Sequence, residues 1–370
     1  MKISGAVLRT TGAERPYARS RPLCIEELEL DDPGPGEVLI RLTAAGVCHS
    51  DLSVVDGNRP RPLPMLLGHE GAGLVERLGT GVDDLHVGDQ VVTVFLPRCG
   101  ECANCLTNGK LPCTPGSATN TAGTLPFDGH KVRLHEADGA EVLHHLGASV
   151  FSTHAVVNRA SLVPVGADVP APIAAVLGCA VLTGGGAVLN AGAPGPEDEV
   201  MIVGLGGVGM AALLTALSIE TGGVIGVDAN PDKLARAKEL GAAEVFTPEE
   251  LGDRRAAVVV ECAGHPLAFE TAFAATAVGG TTVTVGLPAP DAESRITPVT
   301  LTAEARTVIG SYLGSAVPSR DIPIYAQLWR DGKLPVEELI SDTIGLHEIN
   351  EALDALADGT VVRQVIDFQK

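Results

Sequence analysis

The sequence is short of aromatic residues and of positive charge. One Trp, three Tyr and seven Phe make up 3% of 370 residues, too few for the stacking platforms that hold single-stranded nucleic acids. Lys and Arg number 26 against 46 Asp and Glu, a formal charge of −20, and no Lys/Arg run exceeds two residues. A phosphate backbone or an anionic bilayer would be repelled by such a surface, so neither nucleic acid nor membrane is an expected partner. Internal repeats are absent. The apolar run that starts at Ile3 is broken by Arg9, too early for a secretory leader, and the expected compartment is the cytoplasm. Two uncharged stretches, Val169 to Pro196 and Val200 to Ile219, reach the length of a membrane helix. The first carries four prolines and Gly184-Gly185-Gly186, the second four glycines, and neither is expected to span a bilayer.

What the chain does have is apolar material: 45% apolar against 19% charged residues, enough for two domains of ordinary size. The first half reads as short alternating strands punctuated by Gly and Pro, over Gly5 to Arg9, Leu23 to Leu30, Glu37 to Ala44, Gly71 to Leu78 and Gln90 to Leu96. This predicts an antiparallel β domain. From Glu199 the rhythm changes to β-branched runs separated by helix-forming segments, with strands predicted at 200–203, 223–227, 244–246, 257–261, 281–286 and 307–310. That is the pattern of a doubly wound parallel sheet. Asn230-Pro231 starts a helix that Gly241 ends. The tail, with a helix around Glu348 to Ala357, matches the first half, so the first domain is expected to be discontinuous. The Ala/Gly/Pro stretch at 169–196 reads as the crossing between domains.

Cys99, Cys102, Cys105 and Cys113 form a C-x2-C-x2-C-x7-C array with Pro97, Gly100, Gly109 and Pro112 supplying turns. Four thiolates at such spacing suit a closed tetrahedral zinc site. Disulfides are disfavoured in a cytosolic chain, and iron–sulfur runs have other spacings. Cys48, His69 and Cys179 offer two sulfurs and an imidazole from three distant places; on spacing alone, a buried small thiol and a satisfied polar histidine explain them equally. Gly204, Gly206, Gly207, Val208 and Gly209 form G-x-G-x-x-G between a predicted strand and a predicted helix. The glycines allow the turn, the approach of a pyrophosphate and tight helix packing, while the helix start attracts the anion. Asp228 ends the next strand, 24 residues after Gly204, where a carboxylate accepts from ribose hydroxyls and repels a 2′-phosphate, favouring NAD.

Along nearly its whole length the chain resembles the zinc-dependent alcohol dehydrogenases of the medium-chain dehydrogenase/reductase family. The likeness rests on Gly68-His69-Glu70-x-x-Gly73-x5-Gly79, the four-cysteine lobe, Cys179 followed by Thr183, the strand ending Ile225-Gly226-Val227-Asp228, and Gly310-Ser311-Tyr312-Leu313-Gly314, in the family's order. The resemblance implies an α/β protein: a discontinuous GroES-like catalytic domain over 1–180 and 314–370 around a Rossmann domain over 181–313. It implies two zinc ions per chain, the catalytic one on Cys48, His69 and Cys179 with an open position for the alcohol oxygen. Asp51 would accept from His69, Glu70 would lie behind the metal, and Ser50 would pass the alcohol proton outward. Animal members continue the relay with a His where Ser53 stands here. His49, Thr183, Lys233 and Arg363 match cofactor-contacting positions. The long segment between Cys113 and Phe151 matches the dimeric members and implies a homodimer joined near Thr300 to Gly314. Phe95 and Leu287 would line an apolar pocket.

Two other functions compete with reversible oxidation of a free alcohol to an aldehyde or ketone. One is oxidation of a thiol–formaldehyde adduct. The branch that does this with glutathione carries an Arg where Ser117 stands and an Asp where Arg59 stands, which argues against it. The other is a zinc-stabilised NAD-binding protein without catalysis, which would need no open metal position. Cys24 and Cys262 match no ligand position and read as reduced, partly buried thiols. His130, His135 and the pair His144-His145 read as loop residues.

Overall fold

The computed structural model describes residues 1–370 apart from 128 and 130, so His130 lies outside the described residues. The chain forms two compact units. One comprises Met1–Cys179, Val317–Ala326 and Ile340–Lys370, the other Ala180–Ala316 and Gln327–Leu339.

In the first unit the alternating segments become short strands: β1 Lys2–Leu8, β2 Leu23–Leu30, β3 Glu37–Val47, β4 Met65–Leu66, β5 Glu70–Leu78, β6 Gln90–Thr93, β7 Leu134–His135, β8 Glu141–His144, β9 His154–Asn158 and β10 Leu162–Pro164. Strands β1, β2, β7, β8 and β4 close a barrel, while β10, β6, β5 and β3 continue into two strands from the tail, with β9 also paired to β3. Pairing is mainly antiparallel as expected, but β4 and β8 run parallel, as do the tail strands Ile340–Ile344 and Arg363–Asp367. A parallel pair needs a crossover, and the helix Ile349–Ala357 lies between those tail strands in the chain. The shared core gathers Leu8, Ile40, Val54, Phe151 and Leu353, all fully buried. Strand β3 extends beyond the predicted Ala44 to Val47 because Gly46 pairs with Glu70 and Val47 with Gln364. The extension delivers the chain to Cys48.

In the second unit six parallel strands, β11 Glu199–Val203, β12 Gly223–Val227, β13 Glu244–Phe246, β14 Ala256–Glu261, β15 Thr276–Thr284 and β16 Thr307–Gly310, lie in the order β13-β12-β11-β14-β15-β16. The first strand is central and the order reverses beside it, the doubly wound arrangement that binds ligands at the strands' carboxyl ends. The central strands are apolar on both faces because both are covered; Val200, Met201 and Ile202 are fully buried. Asn230 caps the helix Pro231–Glu239, its side chain accepting from Asp232 N at 2.9 Å, and Gly241 follows at φ +116°.

The stretch read as a crossing is helical from Ala171 to Gly192. It is long and apolar enough to cross a membrane, yet 89% of its most apolar window is buried inside the protein. Its hydrophobicity therefore reflects core burial. Two π-helical stretches, Leu177–Val181 and Ala187–Gly192, widen it. Val200–Ile219 divides into β11, a glycine turn and the helix Gly207–Leu217.

Candidate active site

Three local devices bring the dispersed cysteines and histidine together. Cys48, in extended conformation, caps the helix His49–Val55, and Asp51 reaches back so that its Oδ2 accepts from Cys48 N at 3.0 Å. Gly68 turns the chain at φ +89°, where a Cβ would stand 2.5 Å from Phe151 N; only glycine fits, and His69 then points inward at the start of β5. Cys179 comes from the first π-helical stretch, a widened turn of the kind that recurs at functional sites. The ligand atoms of Cys48, His69, Glu70 and Cys179 all lie within 4.8 Å of one another, and all four residues are buried.

Asp51 Oδ1 lies 3.0 Å from His69 Nδ1, which assigns the proton to Nδ1 and leaves Nε2 with its lone pair. That nitrogen is 3.4 Å from Cys179 Sγ, close to the ~3.5 Å separating sulfur and nitrogen ligands around one tetrahedral zinc. Both Glu70 carboxylate oxygens are buried without a hydrogen-bond partner. The Arg363 guanidinium stands behind them: Nε lies 3.6 Å from Glu70 Oε1, Nη1 donates to Val47 O at 2.9 Å, and the side chain is 2% exposed.

The electrostatics fit a cation. The Cys179 hydrogen bond, followed by Arg363 and His69, holds the Cys48 thiol well below its ordinary value against the opposing effect of burial. Cys179 is pushed well up by the same bond and by burial. Burial pushes Glu70 up to about 7 although Arg363 opposes it. Burial opposes charge on His69 and Asp51, while Asp51 and Cys48 pull His69 upward and His69 with His145 pulls Asp51 downward. Two sulfurs, an imidazole nitrogen and an orphaned carboxylate compressed in a dry site are the donor set that zinc satisfies.

Cys99, Cys102, Cys105 and Cys113 converge in the same way. Cys99 Sγ and Cys105 Sγ are 3.8 Å apart, matching the ~3.8 Å edge of a tetrahedron with 2.3 Å zinc–sulfur bonds. Backbone N–H groups of Cys99, Cys102 and Cys105 donate to the sulfurs of Cys113, Cys99 and Cys102, each at 3.4 Å. Arg98 ties the loop by donating to the carbonyls of Asn104, Cys105 and Leu111. All eight cysteines are free.

In the second unit Gly204 sits at φ +91°, where a Cβ would meet Ala263 N at 2.7 Å, while nothing lies within 4 Å of the corresponding position at Gly206. Gly206 leaves room for a ligand at the start of the helix opened by Gly207, Val208 and Gly209. Asp228 is tied to that loop, its Oδ2 accepting from Leu205 N at 2.7 Å and its Oδ1 from Asn230 N at 2.8 Å. Thr183 is buried in the helix Ala171–Gly192 and Lys233 is half-buried in the helix Pro231–Glu239. His49 is exposed at the start of its helix and Ser50 half-buried beside it. Ser53 donates to His49 O at 2.8 Å, an ordinary helical bond. Phe95 stands edge-on to His69 with ring centres 5.4 Å apart.

Several residues differ from the sequence reading. His135 and His144 end strands, His144 and His145 are both buried, and Cys24 is exposed on β2. His145 Nδ1 lies 3.3 Å from Asp51 Oδ1, which places it beside the Cys48, His69 and Cys179 cluster. No spacing rule links residues so distant in sequence; the one signal was two consecutive histidines in an apolar setting. Arg363 as the cation behind Glu70 was equally invisible, because a buried counter-ion is defined only by the fold.

The descriptions of two families match the chain: the alcohol dehydrogenase GroES-like domain over residues 34–167 and the zinc-binding dehydrogenase over residues 207–330. Geraniol dehydrogenase of Castellaniella defragrans is 38% identical over all of this chain and 98% of its own length. A zinc-binding-domain alcohol dehydrogenase of Burkholderia ambifaria superposes with a TM-score of 0.91 at 30% identity, over 99% of both chains. Benzyl alcohol dehydrogenase of Acinetobacter calcoaceticus does so with a TM-score of 0.88 at 30% identity, again over 99% of both.

Proposed function

The chain belongs to the zinc-dependent alcohol dehydrogenases of the medium-chain dehydrogenase/reductase family, and from that premise we propose that it oxidises primary allylic or benzylic alcohols reversibly to aldehydes, with NAD as hydride acceptor. The observation that carries the reading is the buried convergence of Cys48, His69 and Cys179 next to an orphaned Glu70. These three residues would hold the catalytic zinc, and Cys99, Cys102, Cys105 and Cys113 would hold a second, structural one. Zinc supplies Lewis-acid chemistry, lowering the pKa of an alcohol and polarising a carbonyl.

The residues of the chain do the rest. Asp51 keeps His69 in the tautomer whose Nε2 faces the metal. Ser50 accepts the alcohol's hydrogen bond and passes the proton outward, and NAD, when bound, would supply the hydride acceptor. With Ser53 bonded to the backbone, water or the cofactor ribose completes the relay. Glu70, countered by Arg363, tunes charge behind the site. The loop Gly204–Gly209 receives the pyrophosphate, and Asp228 receives the adenosine ribose and disfavours NADP. Thr183, His49, Lys233 and Arg363 contribute to holding the dinucleotide. Geraniol and benzyl alcohol, the substrates that name two relatives, suggest the substrate class. Ser117 and Arg59, at positions where the glutathione-dependent branch carries Arg and Asp, weigh against the adduct. Eight reduced cysteines, seven of them assigned to zinc, suit the cytoplasm. The enzyme acts as a homodimer.

The test is kcat/KM with NAD and with NADP across geraniol, benzyl alcohol, ethanol and hydroxymethylglutathione, with a chelator control. Expected are chelator-sensitive turnover and preference for NAD and for the allylic and benzylic alcohols. A hundredfold preference for the glutathione adduct, or equal use of NADP, overturns the corresponding part of the reading.

A further inference from the structure

His145 stands out because no step of the proposed reaction uses it, yet it is fully buried against the residue that supports the metal ligand. Asp51 Oδ1 lies between two imidazoles, hydrogen-bonded to His69 Nδ1 at 3.0 Å and 3.3 Å from His145 Nδ1, a charge-pairing distance at which the buried His145 nitrogen makes no aligned hydrogen bond. The other oxygen, Oδ2, accepts from Cys48 N. The carboxylate is 0% exposed, so no bulk water can replace a lost partner. His145 is also edge-on to His69, with ring centres 5.4 Å apart and planes at 89°. Phe95 makes a contact of the same kind at 5.4 Å and 88°, so two rings wedge the His69 imidazole.

The chain invests in this placement. Leu146, Gly147 and Ser149 take left-handed backbone conformations at φ of 53°, 66° and 53°, a costly series for a turn with two non-glycine members. His145 N donates to Ser149 Oγ at 2.9 Å, and that hydroxyl donates to Leu66 O at 2.8 Å. Val150 N donates to Gly68 O at 3.1 Å. The turn that carries His145 is therefore bonded to the segment that presents His69.

We infer that His145 is a positioning residue of the zinc site: it shares Asp51 with His69 and holds the carboxylate where it fixes the tautomer and plane of the metal-binding imidazole. A separate metal ion among Asp51, His69 and His145 is disfavoured, because it would displace the proton that His69 donates to Asp51. The inference rests on the reading of Cys48, His69 and Cys179 as zinc ligands.

The experiment uses the zinc-loaded enzyme and its cobalt-substituted form. Outer partners of metal-bound histidines are worth ten- to hundredfold in metal affinity. In His145→Phe, which keeps the ring and removes the nitrogen that faces Asp51 at 3.3 Å, a chelator should remove the catalytic ion at least tenfold faster than from the native enzyme. The four-cysteine zinc should be retained, and the cobalt d–d bands should shift. Asn places its amide where Nδ1 stands, so His145→Asn should restore native retention, whereas His145→Gln, reaching to the Nε2 position, should not. If His145→Phe does not fold, the Asn and Gln pair decides alone. Native retention and spectrum in His145→Phe, or no difference between Asn and Gln, overturns the inference. A native protein that binds zinc only at the four cysteines would instead overturn the underlying assignment.

Discussion

At the scale of single residues, burial decides charge, and His144 shows it away from the metal ligands. Its Nε2 accepts from Arg133 N at 3.0 Å, while Nδ1 is buried without a hydrogen-bond partner. Burial, helped by Arg133 and His135, pushes its pKa down to about 3 from 6.5. Because the folded value is the lower one, the unfolded chain takes up the proton first. The contribution is fully present above pH 6.5 and is lost as pH falls from 6.5 toward 3. At ~1.4 kcal/mol per pH unit, about 3 kcal/mol would be lost between pH 6.5 and 4. Gln presents an amide oxygen where Nε2 stands and does not titrate. His144→Gln should therefore flatten the decline of Tm over that window relative to the native protein; parallel curves would show that His144 does not drive it.

At the scale of elements, what could be read from the sequence depended on whether local composition and tertiary use agreed. Gly223–Val227 and Thr307–Gly310 were legible to the residue because β-branched runs between turn residues favour strands, and Leu23–Leu30 because its apolar and charged residues alternate in part. The helix Ala171–Gly192 was not legible as a helix, because its glycines and prolines lower local propensity and the compensation comes from packing. Gly184 illustrates that compensation. A Cβ there would stand 2.2 Å from Val208 O and 2.7 Å from Ala212 N in the helix Gly207–Leu217. Helix propensity alone predicts that Gly184→Ala stabilises by about 1 kcal/mol. The backbone contact predicts a loss of about 1–3 kcal/mol. Denaturant unfolding reads the sign directly, and a stabilised variant would mean that the two helices do not meet through this glycine. The candidate site divided along the same line: the four-cysteine loop and the glycine turn are local in sequence and announced themselves. Cys48, His69 and Cys179 needed a family resemblance, and His145 and Arg363 needed the fold.

At the scale of the whole molecule, the open sheet of the second unit leaves two edges, and they are treated differently. The β13 edge is only three residues long and carries Glu244, which pairs with Arg254 at 2.7 Å, itself held by Glu199 at 2.5 Å. Short length and charge are the usual means of keeping an edge unpaired. The β16 edge, Thr307-Val308-Ile309-Gly310, carries no charge, and among the described residues it pairs with β15 alone. Val308, Val299 and Val278 are exposed at 36%, 67% and 70%. For a chain with a formal charge of −20, association through a charged surface would be opposed by repulsion, whereas an uncharged strand edge supplies backbone hydrogen bonds and apolar area together. For the proposed homodimer, pairing of β16 with its symmetry copy is therefore the expected interface. Light scattering of the native enzyme should give twice the chain mass of 37.9 kDa. Val308→Lys, which sets two like charges against each other across the two-fold axis, should return the mass of a single chain while the four-cysteine zinc is retained. A native tetramer, or a Val308→Lys dimer as stable to dilution as the native one, would place the interface elsewhere on the surface.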